Sequence, residues 1–492
     1  MRLLPKTPGP RPVPSAGRAG APRSGTASRV GAGRWTGRAE YADIGLRFRY
    51  DEFDIRELPA GTHSGVVVPA SLTDQGVHDG HGVRMYRVDG TLRDHPVGQA
   101  QYGMYLVETY RVTGDRRYLD RAVMQAQRLV DRRVVHRGGW FYPYAFVTGL
   151  HNGPERFRAP WFSMMAQGQA LSLFCRLVEV TDHARWRAAA DATFGSYLVP
   201  PVADRPWGIY VIDGLLWLEE YPFPTKVTGD RTYNGHNFSA LGLWDYWALT
   251  KHEYARLLLR AALTTARDVF PQIRNPGWTS KYCLRHGFDL QSYHVIHMTQ
   301  HSQFYAITGD LVFAHIADVF YDDSPPSEAG GRVSFARGRH TGYEFDRDGR
   351  IVSRKIMSLS RPDSAPSLGR VRIRRQTGMW YAIGGGRSAG YHVRESTTAF
   401  RLGICALLSY RIPRPGGVPA APVIAHAVHD GAETTTMATN YRVGDPVTVD
   451  ARAVLNGVSQ LRLASGEHTN RWIPDRHRPP PSSANNTFGH HV

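Results

Sequence analysis

Residues 101–130 read QYGMYLVETYRVTGDRRYLDRAVMQAQRLV. Apolar side chains recur at helical spacing, stop at Thr113-Gly114-Asp115, and resume at the same spacing. A Gly-Asp break between two such runs marks one helix ending and another starting, so the stretch predicts a helical hairpin. The pattern returns in QGQALSLFCRLVEVTDHARWRAAADATFGSYL (167–198), in FSALGLWDYWALTKHEYARLLLRAALTTARDVF (238–270) and in HSQFYAITGDLVFAHIADVF (301–320). The breaks fall at Thr113, Thr181, Thr250 and Thr308. Helical hairpins recurring at intervals of roughly 60–70 residues imply an α/α array, curved or closed into a ring. Four hairpins predict a mainly α protein built on an incomplete α/α toroid, with antiparallel β units appended C-terminally.

Outward from this core the texture changes. Residues 1–40 hold eight Lys/Arg against one acid, amid Pro, Gly, Ser and Ala, and are expected to be a disordered basic tail. Residues 41–95 are a mixed segment and 96–324 the toroid. Residues 325–411 alternate apolar and polar residues between Gly turns and read as a β-rich unit. A Pro-rich hinge, IPRPGGVPAAP (412–422), opens a second small β unit over 412–475, and 476–492 are expected to be disordered.

The net charge is +17 over 492 residues, which favours a polyanionic partner. No nucleic-acid-binding motif accompanies the charge, so nucleic acid is not expected. No apolar run is long enough for a transmembrane helix. The N-terminus, MRLLPKTPGPRPVPSAGRAG, lacks the apolar stretch of a signal peptide. Cys175, Cys283 and Cys405 lie far apart without CxxC spacing, and Cys175 and Cys405 sit in apolar runs as core thiols.

The inter-hairpin loops carry the unusual residues, where an array of this kind places its site. WLEEYPFPTKVTGDRTYNGHNF (217–238) offers Glu219 and Glu220 ahead of Tyr221. A solvated acidic loop before a helix N-terminus would explain the same residues. PGWTSKYCLRHGFDLQSYHVIHMTQ (276–300) offers Tyr282 and Tyr293 with Arg285, His286, His294 and His297. A tyrosine becomes a useful acid/base when its surroundings favour the phenolate, and Arg matches a carboxylate with two prongs. His294, His297 and His301 fall on one helix face and could hold a metal, but no carboxylate lies nearby. A structural histidine face is the plainer explanation.

WFSMMAQGQA (161–170), EEYP (219–222), Asn234-Gly235, YCLRH (282–286) and YHVIHMTQ (293–300) occur in the order of the C-terminal catalytic domain of the D-glucuronyl C5-epimerases, and QAQYG (99–103) matches its start. Residues 95–321 thus resemble that family, which acts on heparosan and heparan-type chains. The resemblance implies an isomerase that turns glucuronosyl into iduronosyl residues in an acidic polysaccharide. It implies Glu220, Tyr221, Tyr282 and Tyr293 as catalytic groups. Arg285, His286, His294, His297, Gln167 and Asn234 would be substrate contacts. No cofactor and no metal are expected, and a homodimer is left open. The substrate class suits a secreted or cell-surface setting. Cys283 departs from the Asp usual in the family, and the β units follow the helical domain here, whereas the animal enzymes carry theirs ahead of it. A uronic-acid lyase shares the same first step, C5 proton abstraction. A non-catalytic polysaccharide-binding protein could use the same groove.

Overall fold

The computed structural model describes residues 29–32, 44–59, 70–72, 76–151, 153–418, 424–429 and 432–475. The tails expected to be disordered lie outside these residues, apart from the short strand Arg29–Ala32. Among the described residues eight helices form four hairpins: α1 (Pro96–Thr113) with α2 (Arg116–Arg132), α3 (Met164–Thr181) with α4 (Ala184–Gly195), α5 (Tyr233–Thr250) with α6 (Glu253–Ile273), and α7 (Gln291–Thr308) with α8 (Leu311–Asp323).

The four turns share one chemistry. Each first helix ends on a threonine whose hydroxyl donates back to the carbonyl four residues earlier, at 2.8 Å for Thr113, and 2.6 Å for Thr181, Thr250 and Thr308. The same oxygen accepts from the backbone N–H two residues on, at 3.1–3.3 Å. The residue between is left-handed: Gly114, Asp182, Lys251 and Gly309. Asp115, His183, His252 and Asp310 then cap the second helix by accepting a backbone N–H. This satisfies groups that a helix end otherwise leaves bare.

The first helices of the hairpins form an inner row, with α1 beside α3, α3 beside α5, and α5 beside α7. Gly168 and Gly242 let α3 and α5 meet closely, because a Cβ at Gly242 would come within 2.5 Å of the Gly168 carbonyl. The second helices face outward. The inner helices α3 and α5 are buried almost all round, polar residues such as Gln167, Arg176, Asn237 and Asp245 included.

The expectation of a mainly α chain is corrected here, since among the described residues helix takes 35% and strand 30%. Two large antiparallel sheets follow the helices. The first has seven strands, in the order Ile351–Leu359, Gly338–Phe345, His392–Arg394, Trp380–Ile383, Asp363–Val371, Arg332–Phe335 and Ala399–Arg401. The second has six and opens with a long strand, Ile404–Gly417. That strand runs through the stretch 412–417 read as hinge. It carries prolines because Pro413 and Pro415 fall in an irregular stretch of the ladder between Ser409 and Arg414 and just beyond it. It also lies against α7: Tyr305 donates to the Pro413 carbonyl at 3.2 Å, and Tyr321 of α8 to the Ala406 carbonyl at 2.8 Å. Among the described residues no helix is long and apolar enough to cross a membrane.

Candidate active site

A cavity of about 530 Å³ opens among the N-terminal parts of all four inner helices. Its wall takes His95, Gln101 and Tyr105 from the first hairpin, Ser163 and Met165 from the second, Asn234 and Phe238 from the third, and Tyr293, Thr299 and Gln303 from the fourth. Tyr144 stacks on Trp161 at 3.8 Å between ring centres, and both face the cavity. Tyr86 stacks on His95 at 3.9 Å. Asn234 and Gln303 leave buried amide oxygens without a partner. Aromatic faces beside unpaired acceptors suit a ligand with hydroxyl groups and flat apolar patches, and the size falls in the usual small-molecule range of roughly 300–1,000 Å³.

Glu219 and Glu220 leave the hairpin Ile209–Ile212/Leu215–Leu218 and divide their roles. Glu219 points inward and accepts from the backbone N–H of Tyr221 at 3.1 Å and of Arg231 at 3.0 Å. Glu220 reaches the cavity wall. Its Oε2 lies against Gly235 in the first turn of α5, where a Cβ would sit 2.2 Å away. Only glycine leaves room for the carboxyl there. Tyr282 donates to Glu220 Oε1 at 3.2 Å, and the Tyr221 and Tyr282 hydroxyl oxygens are 3.5 Å apart. The Tyr293 ring sits 4.3 Å from that of Tyr282.

Burial sets the protonation here. It pushes Glu220 up to about 8, only partly offset by the Tyr221 and Tyr282 hydroxyls. It pushes Glu219 up to about 7, helped by the charge of Asp230. Tyr221, Tyr282 and Tyr293 are all raised by burial and then by the Glu220 charge. The resting site therefore holds neutral phenols and a largely neutral Glu220. The phenolate anticipated from the sequence is disfavoured, because no cation stands beside these rings: among the described residues the cavity wall has no Arg or Lys.

The remaining sequence-selected residues stand elsewhere. Asn234 lines the cavity, but Gln167 is buried and spends its amide on Tyr142 N at 3.0 Å, the Trp140 carbonyl at 2.5 Å and Ser196 Oγ at 3.1 Å. Arg285 pairs with Glu155 at 3.4 Å and covers the Phe223 ring at 4.8 Å. His286 donates or accepts at Asp230 Oδ1 at 2.6 Å. His294 is fully buried, with Nδ1 accepting from Ser280 N at 2.8 Å and Nε2 donating to the Phe320 carbonyl at 2.9 Å. His297 bonds Ser280 Oγ at 2.8 Å, and His301 bonds the Tyr233 hydroxyl at 2.7 Å. Burial lowers His294 to about 4 and His301 to about 3, and takes His297 well down. Tyr282, Arg285, His286, His294, His297 and Gln167 are not in the cavity wall; Tyr282 is buried behind it and meets the wall only through Glu220, Tyr221 and Tyr293.

Sequence reasoning passed over Tyr86, His95, Tyr144 and Tyr105. Tyr86, His95 and Tyr144 lie outside the hairpin repeat, and nothing in their spacing marks them. Trp161, Ser163 and Gln300 were within the quoted motifs without being chosen.

Residues 133–322 match the family model described as "D-glucuronyl C5-epimerase C-terminus". Solved structures with similarity include a cellobiose 2-epimerase from Spirochaeta thermophila, at 15% identity and TM-score 0.37, covering 51% of this chain and 64% of that one. A family 76 α-mannanase from Bacteroides thetaiotaomicron aligns at 12% identity and TM-score 0.35, covering 49% and 61%. An unsaturated glucuronyl hydrolase from Streptococcus agalactiae aligns at 13% and 0.31, covering 46% and 57%. The chain thus spans less than two thirds of each of these structures. At such scores they carry no argument about chemistry.

Proposed function

We propose that this chain, whose residues 133–322 match the D-glucuronyl C5-epimerase C-terminus, is a carbohydrate epimerase that inverts C5 of glucuronosyl residues within an acidic, heparosan-type polysaccharide to give iduronosyl residues. The observation that carries the proposal is that Glu220, Tyr221 and Tyr293 share one cavity wall, with Tyr282 buried behind them and donating to Glu220.

The C5 proton lies next to the uronate carboxylate, so its removal builds an enolate-like dianion. The ionised fraction of Glu220, which grows as pH approaches 8, takes that proton. A base whose pKa lies near the working pH is the most effective, and about 8 meets that condition where an ordinary carboxylate does not. Tyr282 follows the charge on Glu220 through its hydrogen bond. Tyr293, protonated because its phenol is raised, returns a proton to the opposite face. Stabilising the dianion is the main catalytic demand. Without Arg or Lys in the wall, the task falls to hydroxyl and amide donors and to the four inner-helix N-termini, whose dipoles favour negative charge. No organic cofactor enters these steps.

The test is deuterium incorporation at C5 when heparosan is incubated with the protein in heavy water. Tyr293→Phe should lower exchange by about a hundredfold or more, the scale of a general acid/base, while its melt stays within a degree or two of the parent because only a hydroxyl is lost. Failure to exchange deuterium into any uronic-acid polymer would sink the proposal. A rise in ultraviolet absorbance from an unsaturated sugar end would instead assign the shared first step to a lyase.

A further inference from the structure

Beside Tyr282 and outside the cavity wall, His151, Asp230, Cys283 and His286 converge. One ligand atom from each lies within 4.8 Å of all the others. Asp230 and Cys283 are fully buried, and His151 and His286 are mostly so. The residues come from three separate loops, before α3, before α5 and before α7. We propose that these four side chains form a structural zinc site that clamps the loop bearing Tyr282.

The donor set decides the metal class. Two imidazoles, a thiol and a carboxylate form a mixed N, S, O set of borderline softness, which zinc accepts with tetrahedral geometry and which calcium and magnesium do not. Zinc bonds of roughly 2.0–2.3 Å place tetrahedral ligands about 3.3–3.8 Å apart. The present separations bracket that range: His286 Nδ1 is 2.6 Å from Asp230 Oδ1, His151 Nε2 is 2.7 Å from Asp230 Oδ2, and Cys283 Sγ is 3.9 Å from His286 Nδ1. Shifts of about an ångström in side chains alone complete the coordination.

The frame is already set. Thr232 bridges Cys283 in an antiparallel pair, and Arg285 N donates to the Asp230 carbonyl at 3.2 Å. Thr232 Oγ1 also donates to Asp230 Oδ2 at 3.0 Å. His151 is held in the left-handed region at φ 48°, and its ring stacks on Phe288 at 5.2 Å. Such a backbone is costly for a non-glycine residue and persists where surroundings fix it. The tautomer change that binding needs is provided for as well. His286 would bind through Nδ1, moving its proton to Nε2, and Glu155 Oε1 stands 3.4 Å from that nitrogen. The two imidazoles stay neutral, the Cys283 thiol loses its proton to solvent, and one proton is released per zinc.

Four protein ligands leave no open position, so the site is structural. Cys283 adjoins Tyr282, and the His151 ring lies 4.9 Å from the Tyr282 ring. The metal therefore fixes the loop that orients Tyr282 towards Glu220. This departs from the expectation, stated for the whole site, that no metal is held.

The test loads the full, reduced chain with Zn²⁺ or Co²⁺ and reads the metal itself, independently of any epimerase assay. One equivalent per chain should bind. Cobalt should give the strong visible bands of a tetrahedral site with a sulfur-to-metal charge-transfer band, and X-ray absorption of the zinc form should show one sulfur in its first shell. Cys283→Ser should abolish the charge-transfer band while Cys175→Ser keeps it, and His286→Gln should weaken binding at least tenfold. Substoichiometric metal, a first shell without sulfur in the unmodified protein, or a band that survives Cys283→Ser would overturn the proposal. The unmodified protein alone decides if the variants do not fold.

Discussion

Glu220→Gln separates the two properties that burial gives this carboxyl. With a folded pKa of about 8, against about 4.5 in an exposed carboxyl, Glu220 stays protonated in the native protein through a range where the unfolded chain has ionised. The folded state then binds more protons than the unfolded one, so stability falls as pH rises. The contribution is fully present below the unfolded value and is lost up to the folded value, across a window of pH 4.5–8. At about 1.4 kcal/mol per unit, moving from pH 5 to pH 9 removes about 4 kcal/mol through this group, and about 2 kcal/mol if the site relaxes by half. Glutamine has the same shape and never ionises. Urea midpoints of the parent and the variant should therefore diverge with pH, the variant losing about 2–4 kcal/mol less than the parent by pH 9. Glu219 titrates in both proteins and cancels in the difference. Deuterium exchange should fall by about a hundredfold or more at every pH, because no base remains. Parallel pH profiles of stability would show that Glu220 is already ionised in the native protein at neutral pH, and the account of a burial-tuned base would fail.

Gly235→Ala should abolish exchange although alanine normally favours a helix by about 1 kcal/mol, because the new Cβ would occupy the place of the Glu220 carboxyl; a normal exchange rate would show that Glu220 has room to move. His294→Ala removes the partners of Ser280 N and the Phe320 carbonyl and should cost about 2–4 kcal/mol in a denaturant melt, with metal content unchanged. Arg285→Ala should raise KM for the polymer several-fold with little change in kcat, since Arg285 stands outside the cavity wall beside Glu155; a collapse of kcat alone would place it at the reacting carboxylate.

The helical hairpins were readable because their signals are local. Apolar spacing set each helix, and the Thr-x-Asp or Thr-x-His turn carries its own hydrogen bonds, so Thr113, Thr181, Thr250 and Thr308 marked the helix ends to the residue. The sheets were also visible as alternation, yet their weight was underestimated. A strand gains stability from a partner distant in sequence, and no repeat announced how seven and six of them would join. The order of motifs pointed to the family whose model matches residues 133–322, and it singled out Glu220, Tyr221, Tyr282 and Tyr293.

What spacing could not decide was direction and company. On α7, Tyr293 faces the cavity while His294 faces Ser280 and Phe320, because adjacent positions on a helix point about 100° apart. Glu219 and Glu220 are neighbours in sequence, but one is held by backbone N–H groups and the other by Tyr282. His151 and Asp230 stand far from YCLRH in the chain and meet it only in space. Protonation followed the same rule. A carboxyl's charge depends on the water and partners that the whole fold leaves around it, so the neutral state of Glu220 is a property of the tertiary structure and not of EEYP.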